Sequence, residues 1–385
     1  ENKDFGLNDF AGVDLKGKVV VRLSGYPGIN DPESEMYKKI NADRRAAMQL
    51  SRGKNDALSG KGILAVIDIT PSGDVTSSWG EYMDDMVMAP NEAAWRSDFA
   101  RMRLDDKTVS DAPVTITVSP KVAAALIGNA VNIEKYEKDA MVASYKFKPV
   151  AIAGVSAGLD ITVISRRVRV RNVVAMIEGN NPDEIVVVGG HMDHMGMSGG
   201  RIWNGADDNA SGTVGVMTIA RAFAATGVKP ERTIMFCAWT GEEKGLLGSE
   251  YFTINPPAGS IDKVKFYLNY DMISRDAQND TAKVNVTVTY NKDYPYLEEL
   301  SKKNVEKYGL TMNYNYRAQE NPTGGSDYTA FSDNKIPIIA VMAAMHPEYH
   351  TPEDQIELVN WDKMIDIIKL GFLNLWEIAN SDFNK

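Results

Sequence analysis

The chain has 385 residues, 44% of them hydrophobic and 24% charged, which is enough apolar material for a large core and two domains. Its formal net charge of -10 argues against a nucleic-acid partner, because phosphate binding calls for clustered Lys and Arg. No apolar stretch approaches the roughly 20 residues that span a bilayer, and a single cysteine excludes an intrachain disulfide.

The first 155 residues have one character. Residues 17–22 read as a strand opened by a glycine, 35–58 as a helix by the spacing of Ala, Lys, Arg and Met, 62–68 and 113–118 as two further strands, and 120–127 as a short helix. No histidine or cysteine occurs there, and the acidic pairs Asp84-Asp85 and Asp105-Asp106 have no nitrogen or sulfur donor nearby in sequence. This half is read as a small α/β module without chemistry of its own. The run Arg166–Arg171 alternates basic and apolar residues, which predicts a strand with a solvated face rather than a ligand site.

The second half, 156–385, alternates strand and helix. Strands are expected at 185–189, 233–239, 265–270, 284–290 and 336–341. Helices are expected at 210–225, from 245, at 296–308 and at 361–380. Cys237 lies inside one of these apolar runs and reads as a small packed hydrophobe. Continuous Val/Ile strands separated by helices predict an α/β fold with a mostly parallel sheet covered on both faces, three layers in all. In such folds ligands gather beyond the carboxyl ends of the strands.

Candidate metal ligands fall in that place. His191 ends one strand, Glu242 and Glu243 follow the next, Asp271 ends a third, and His350 follows the last; Asp208 sits at a helix start instead. Imidazole and carboxylate donors suit zinc. Two residues after His191, Asp193 can accept its imidazole N–H and orient the ring. Adjacent glutamates at a turn point in different directions, so one of Glu242 and Glu243 can hold metal while the other takes a proton from water. Each position alone has a plainer reading: a structural histidine, an acidic helix N-terminus, or a cap at Asp208-Asn209. All five at successive element ends are hard to obtain by chance.

The segments Gly190-His-Met-Asp-His194, Asn204-Gly-Ala-Asp-Asp-Asn-Ala-Ser-Gly212, Thr240-Gly-Glu-Glu-Lys-Gly-Leu-Leu-Gly-Ser249, Asn269-Tyr-Asp-Met-Ile273 and Tyr349-His-Thr-Pro-Glu-Asp354 resemble the di-zinc exopeptidases of metallopeptidase family twenty-eight. The resemblance covers about residues 158–385. It implies two zinc ions, one held by His191 and Asp271 and the other by Glu243 and His350, with Asp208 bridging and Asp207 not ligating. It implies that Glu242 is the general base, that the Asp208–Asn209 peptide is cis, and that Tyr349 supports the oxyanion. Ser326-Asp327-Tyr328 would lie near the substrate cleft without ligating. The segment Asp9-Phe-Ala-Gly-Val-Asp-Leu-Lys-Gly-Lys-Val-Val-Val21 resembles a protease-associated domain.

The function implied is a zinc-dependent exopeptidase acting on peptide substrates, first of all an aminopeptidase. A carboxypeptidase would need an arginine cluster for the substrate carboxylate, with Arg275 and Arg317 as candidates. A glutaminyl cyclase is disfavoured because ligands for two ions are kept. The rival from another class is a non-catalytic peptide-binding relative. Met192, Met195 and Met197 are either pocket residues or ordinary loop and core residues. His194 and His346 are left without a role. The chain opens at Glu1 without a methionine or a leader and reads as processed or cut. Export to the periplasm or medium is expected from the resemblance.

Overall fold

A computed structural model describes residues 7–10, 12–23, 25–29, 31–41, 50, 53, 54, 56–69, 102–104, 113–118, 120–140, 142, 149–158, 160, 167–198 and 200–381. They divide into two compact units, one drawn from residues up to 160 and the other from 167–381, to which 102–104 also belong. The acidic pairs at 84–85 and 105–106, Arg166, and most of the helix expected beyond Asn41 lie outside the described residues.

The first unit carries strands β1 (Val19–Leu23), β2 (Ala65–Ile69) and β3 (Val114–Val118), all parallel, in the order β1-β2-β3. Helix α1 (Glu35–Asn41) follows β1, and α2 (Pro120–Ile127) and α3 (Ile133–Ala140) follow β3. Its core joins Ile69 to Ala123, Ile127 and Ile133. The strands expected at 17–22, 62–68 and 113–118 and the helix at 120–127 are all present.

The second unit is built on strands β4 (Val173–Ile177), β5 (Asn181–His191), β8 (Arg232–Trp239), β9 (Val264–Tyr270), β10 (Asn285–Asn291), β11 (Asn313–Gln319) and β12 (Ile338–Met342), with a small hairpin of β6 (Gly196–Ser198) and β7 (Arg201–Trp203) beside them. The large sheet has the order β11-β10-β12-β9-β5-β8-β4. Its four middle neighbours, β12, β9, β5 and β8, run parallel. The edge strand β4 is antiparallel to β8, and β10 is antiparallel to β12. Four contiguous parallel strands therefore end on one edge, and that edge carries His191, Glu242, Glu243 and Asp271.

Alternation along the strands sends side chains to two cores. Val186, Val188, Ile234 and Phe236 meet helices α4 (Gly212–Thr226) and α8 (Trp361–Asn380) on one face. Ile185, Val187, Met235, Cys237 and Trp239 meet Phe252 of α5 (Leu247–Ile254) and Phe331 of α7 (Tyr328–Asp333) on the other. Helix α6 (Tyr296–Tyr308) adds Leu297 to the first face. The result is the three-layer, mostly parallel α/β arrangement expected. Cys237 is fully buried. Among the described residues no helix is long and apolar enough to cross a membrane.

One expectation is corrected. Residues 167–172 form no strand, although 167–171 are exposed; the strand begins at Val173, where pairing with β8 becomes available. Strand β11 was not foreseen. Its sequence Asn-Tyr-Asn-Tyr-Arg-Ala-Gln lacks an aliphatic run, and only Tyr314 and Tyr316 turn towards the core.

Gly371 lets α8 lie against β9. A Cβ built there would stand 1.7 Å from the Tyr270 hydroxyl oxygen and 2.7 Å from its Cζ. Helix propensity alone would favour Gly371→Ala by about 1 kcal/mol. The clash predicts the reverse, a loss of about 1–3 kcal/mol in urea denaturation, because Tyr270 is fully buried and has nowhere to move. A raised denaturation midpoint would contradict this packing.

Candidate metal centre

Asp208 reaches the strand edge because the chain before α4 is pinned. Asp354 is buried, and its carboxylate accepts the backbone N–H of Asp207 (3.1 and 3.0 Å to its two oxygens) and of Asp208 (3.0 Å). Asp207 turns away from the cluster. Its Oδ1 accepts the Ser274 N–H and Oγ–H, each at 2.7 Å, and its Oδ2 lies 3.2 Å from His346 Nε2. Asn209 accepts the Gly212 N–H at 2.9 Å, at the first residue of α4, and donates to the Tyr270 carbonyl at 2.9 Å. The Asp208–Asn209 peptide is cis. Gly212 has no room for a side chain: a Cβ would stand 2.3 Å from Asn209 Oδ1.

Held this way, the Asp208 carboxylate sits between two imidazoles. Its Oδ1 is 3.2 Å from His191 Nε2, and its Oδ2 is 3.0 Å from His350 Nε2. Asp271 Oδ1 is 3.4 Å from His191 Nε2. Glu243 Oε2 is 3.2 Å from His350 Nε2. Glu242 Oε2 lies 3.9 Å from His191 Nε2, farther than any of these contacts. His350 and Met272 have positive φ (58° and 56°), a conformation that costs non-glycine residues on the order of 1–2 kcal/mol and clusters at functional sites.

Electrostatics divides the adjacent glutamates. Burial pushes Glu242 well above the usual carboxylate range, reinforced by Asp271, Asp327 and Glu243 against the pull of His191. Burial also acts on Glu243, but hydrogen bonds from His194 and His350 hold it below its ordinary value. Asp208 is likewise lowered, because His191 and His350 outweigh its burial. His350 loses some basicity to burial yet is raised to about 9 by Asp208 and Glu243. The neighbouring Asp327 is fully buried and is pushed up to about 7, chiefly by burial.

The donor set fits metal. Four carboxylates, Asp208, Glu242, Glu243 and Asp271, converge in a little-exposed space, and buried charges need partners or metal. Asp271 Oδ1 is buried with no hydrogen-bond partner. Three groups of donor atoms lie within 4.8 Å of one another: His191 with Asp208 and Asp271, His191 with Glu242 and Glu243, and His194 with Asp208 and Glu243. Nitrogen and oxygen donors of this kind suit zinc.

The remaining sequence-derived assignments resolve in several ways. Asp193 does not accept the His191 N–H through its carboxylate. Its backbone carbonyl faces His191 Nδ1 at 3.0 Å, while Oδ1 is 4.0 Å away. The carboxylate instead accepts the N–H of Glu242 (3.1 Å) and Glu243 (3.4 Å), and so holds the glutamate turn. Tyr349 stacks its ring on His350, centroids 3.8 Å apart. Ser326 accepts from Asn269 at 2.9 Å. Met192 and Met197 are exposed at 42% and 68%, so neither is a core residue. Arg275 is buried, 2.5 Å from Glu348 and 3.8 Å from Asp354, and Arg317 lies on the exposed part of β11.

Besides His346, which faces Asp207 Oδ2, the sequence leaves two engaged residues without a role. Asp354 closes the motif that contains His350, and its role as anchor of the Asp208 loop depends on a contact across 146 positions. His194 is not a bystander. Its Nδ1 is 2.9 Å from Glu243 Oε1, and its ring lies edge-on to His350. The signal was a second histidine three residues after His191 in a chain with only four.

Comparison with known proteins finds peptidases. A family model for Peptidase family M28 matches residues 172–372. Leucine aminopeptidase 2 of Trichophyton equinum is 32% identical over 170 residues, 43% of this chain and 32% of that protein. Aminopeptidase Y of Saccharomyces cerevisiae is 24% identical over 268 residues, 65% of this chain and 48% of that protein. This chain thus matches a third to a half of these relatives' length. Among solved structures, an aminopeptidase from Aneurinibacillus sp. strain AM-1 superposes with a TM-score of 0.51 at 19% identity, covering 96% of this chain and 71% of the other. A zinc aminopeptidase from Bacillus subtilis gives 0.50 at 19% identity, covering 97% and 72%. These two likenesses speak to the fold.

The anchoring role of Asp354 is open to direct test. Asp354→Ala leaves the buried N–H groups of Asp207 and Asp208 without acceptors, which predicts a stability loss of about 1–3 kcal/mol. Zinc uptake should fall with it, as measured by metal analysis after replete dialysis. Wild-type stability together with full zinc content would refute the anchor.

Proposed function

The chain belongs to peptidase family M28, and on that premise we propose that it is a zinc-dependent exopeptidase that releases N-terminal residues from peptides. The observation that carries the reading is the division of the adjacent glutamates, with Glu243 between two histidines and Glu242 apart from them. His191 and Asp271 would hold one ion, Glu243 and His350 the other, and Asp208 both. When bound, the paired ions would polarise the scissile carbonyl and activate water for attack.

The protein's own groups do the rest. Glu242 takes the proton from the attacking water and passes it to the leaving amine. Burial raises its proton affinity, which suits a group that must accept and then release a proton. Asp193 fixes the turn that carries both glutamates, so base and ligand keep their separate directions. His191 is oriented by the Asp193 carbonyl on Nδ1, which leaves Nε2 for the centre. Tyr349, whose ring stacks on His350, is assigned to support the oxyanion.

A carboxypeptidase is the weaker reading. Arg275 is already engaged by Glu348 and Asp354, and it is buried away from solvent. The names of the relatives, leucine aminopeptidase 2 and aminopeptidase Y, also favour amino-terminal cleavage. The reading extends to the first unit as a protease-associated domain, supported by the motif at 9–21 and the three parallel strands, and to export from the cytoplasm.

Short peptides with free and with acetylated N-termini give the test. Amino acids should be released from the free peptides only, and a chelator should abolish release. Glu242→Gln should keep both zinc ions and lose about 10²–10⁴-fold in kcat. Full activity of that variant would overturn the mechanism, and cleavage of acetylated peptides from the carboxyl end would overturn the aminopeptidase reading.

A further inference from the structure

We infer that His194 is a positioning residue of the second metal site, donating its Nδ1–H to Glu243 Oε1 so that Glu243 presents Oε2 to the ion. The inference rests on the paired-metal reading above and deepens it.

The two oxygens of Glu243 have separate neighbours. Oε2 is 3.2 Å from His350 Nε2, whereas Oε1 is 2.9 Å from His194 Nδ1. An ionised carboxylate only accepts hydrogen bonds, so the His194 proton sits on Nδ1. Distances set His194 apart from His350. His350 Nε2 lies within 3.2 Å of both Asp208 and Glu243, as a ligand of a shared ion would. His194 Nδ1 is at hydrogen-bond distance from Glu243 alone and stands 3.9 Å from Asp208 Oδ2. A second donor on a ligating carboxylate fixes which oxygen faces the metal, and losing such a group costs about 10–100-fold in metal affinity.

One glycine leaves room for this ring. Gly205 has a φ of 60°, and a Cβ there would stand 2.5 Å from His194 Cγ and 2.1 Å from the Asp208 carbonyl oxygen. The ring packs on that bare glycine with its side chain 8% exposed. Its Nε2 is buried and has no hydrogen-bond partner. A residue kept for packing alone would carry no such unsatisfied nitrogen, since leaving one buried costs about 1–3 kcal/mol.

The test is zinc titration of metal-free protein, read by calorimetry or chelator competition, with wild type, His194→Ala and His194→Asn. Asparagine places an amide N–H near the position of Nδ1. Wild type should bind two ions. His194→Ala should weaken one step by about 10–100-fold and leave the other unchanged, and His194→Asn should recover much of the loss. Unchanged affinities in His194→Ala would overturn the inference. So would complete loss of one ion with a drop in imidazole scattering in zinc X-ray absorption, which would make His194 a ligand. Fewer than two ions in wild type would instead sink the paired-metal reading.

Discussion

The two oxygens of the Asp208 carboxylate face different imidazoles, His191 at 3.2 Å and His350 at 3.0 Å, and most of the second unit serves to keep them there. A buried carboxylate in that position is unfavourable unless its loop is held and its charge is met. Asp354 holds the loop by its backbone, Asn209 ties it to Tyr270, and Asp207 ties it to Ser274. Arg275 in turn lies against Asp354 and Glu348, linking the segment after β9 to the segment that carries His350. The loops of the site brace one another through these buried contacts.

The same edge explains how two adjacent glutamates come to lie in different surroundings. β5, β8, β9 and β12 are parallel neighbours, so the loops after them open on one side of the sheet. Glu242 and Glu243 leave β8 through a turn whose N–H groups are clamped by Asp193. Consecutive side chains then diverge. One enters a space already rich in carboxylate and is pushed up in proton affinity; the other meets two histidines and is pulled down. Neighbouring groups with opposite shifts are what acid–base assignment in an active site looks for.

Much of this was legible in the sequence, and the reason is burial. Strands covered on both faces read as continuous Val/Ile runs, so β5, β8, β9 and β12 announced themselves and carried the candidate ligands at their ends with them. Edge strands did not. The residues of β4 are mostly exposed, and it follows an arginine-rich run that imitates a strand; β11 alternates Asn and Tyr without an aliphatic run. At the site, positions at element ends could be read from spacing, but contacts between distant loops could not. Asp193 was placed beside His191 by its spacing, yet its carboxylate turns to the glutamate turn 49 positions away. His194 lacked a role because nothing local shows that Glu243 lies beside it.

On the proposed function, Asp208 would be shared by two ions, and anomalous diffraction at the zinc edge from crystals of zinc-loaded protein can locate them. Two peaks about 3.5–4 Å apart are expected, one beside His191 and Asp271 and the other beside Glu243 and His350. A single peak, or two peaks that do not share Asp208, would contradict it.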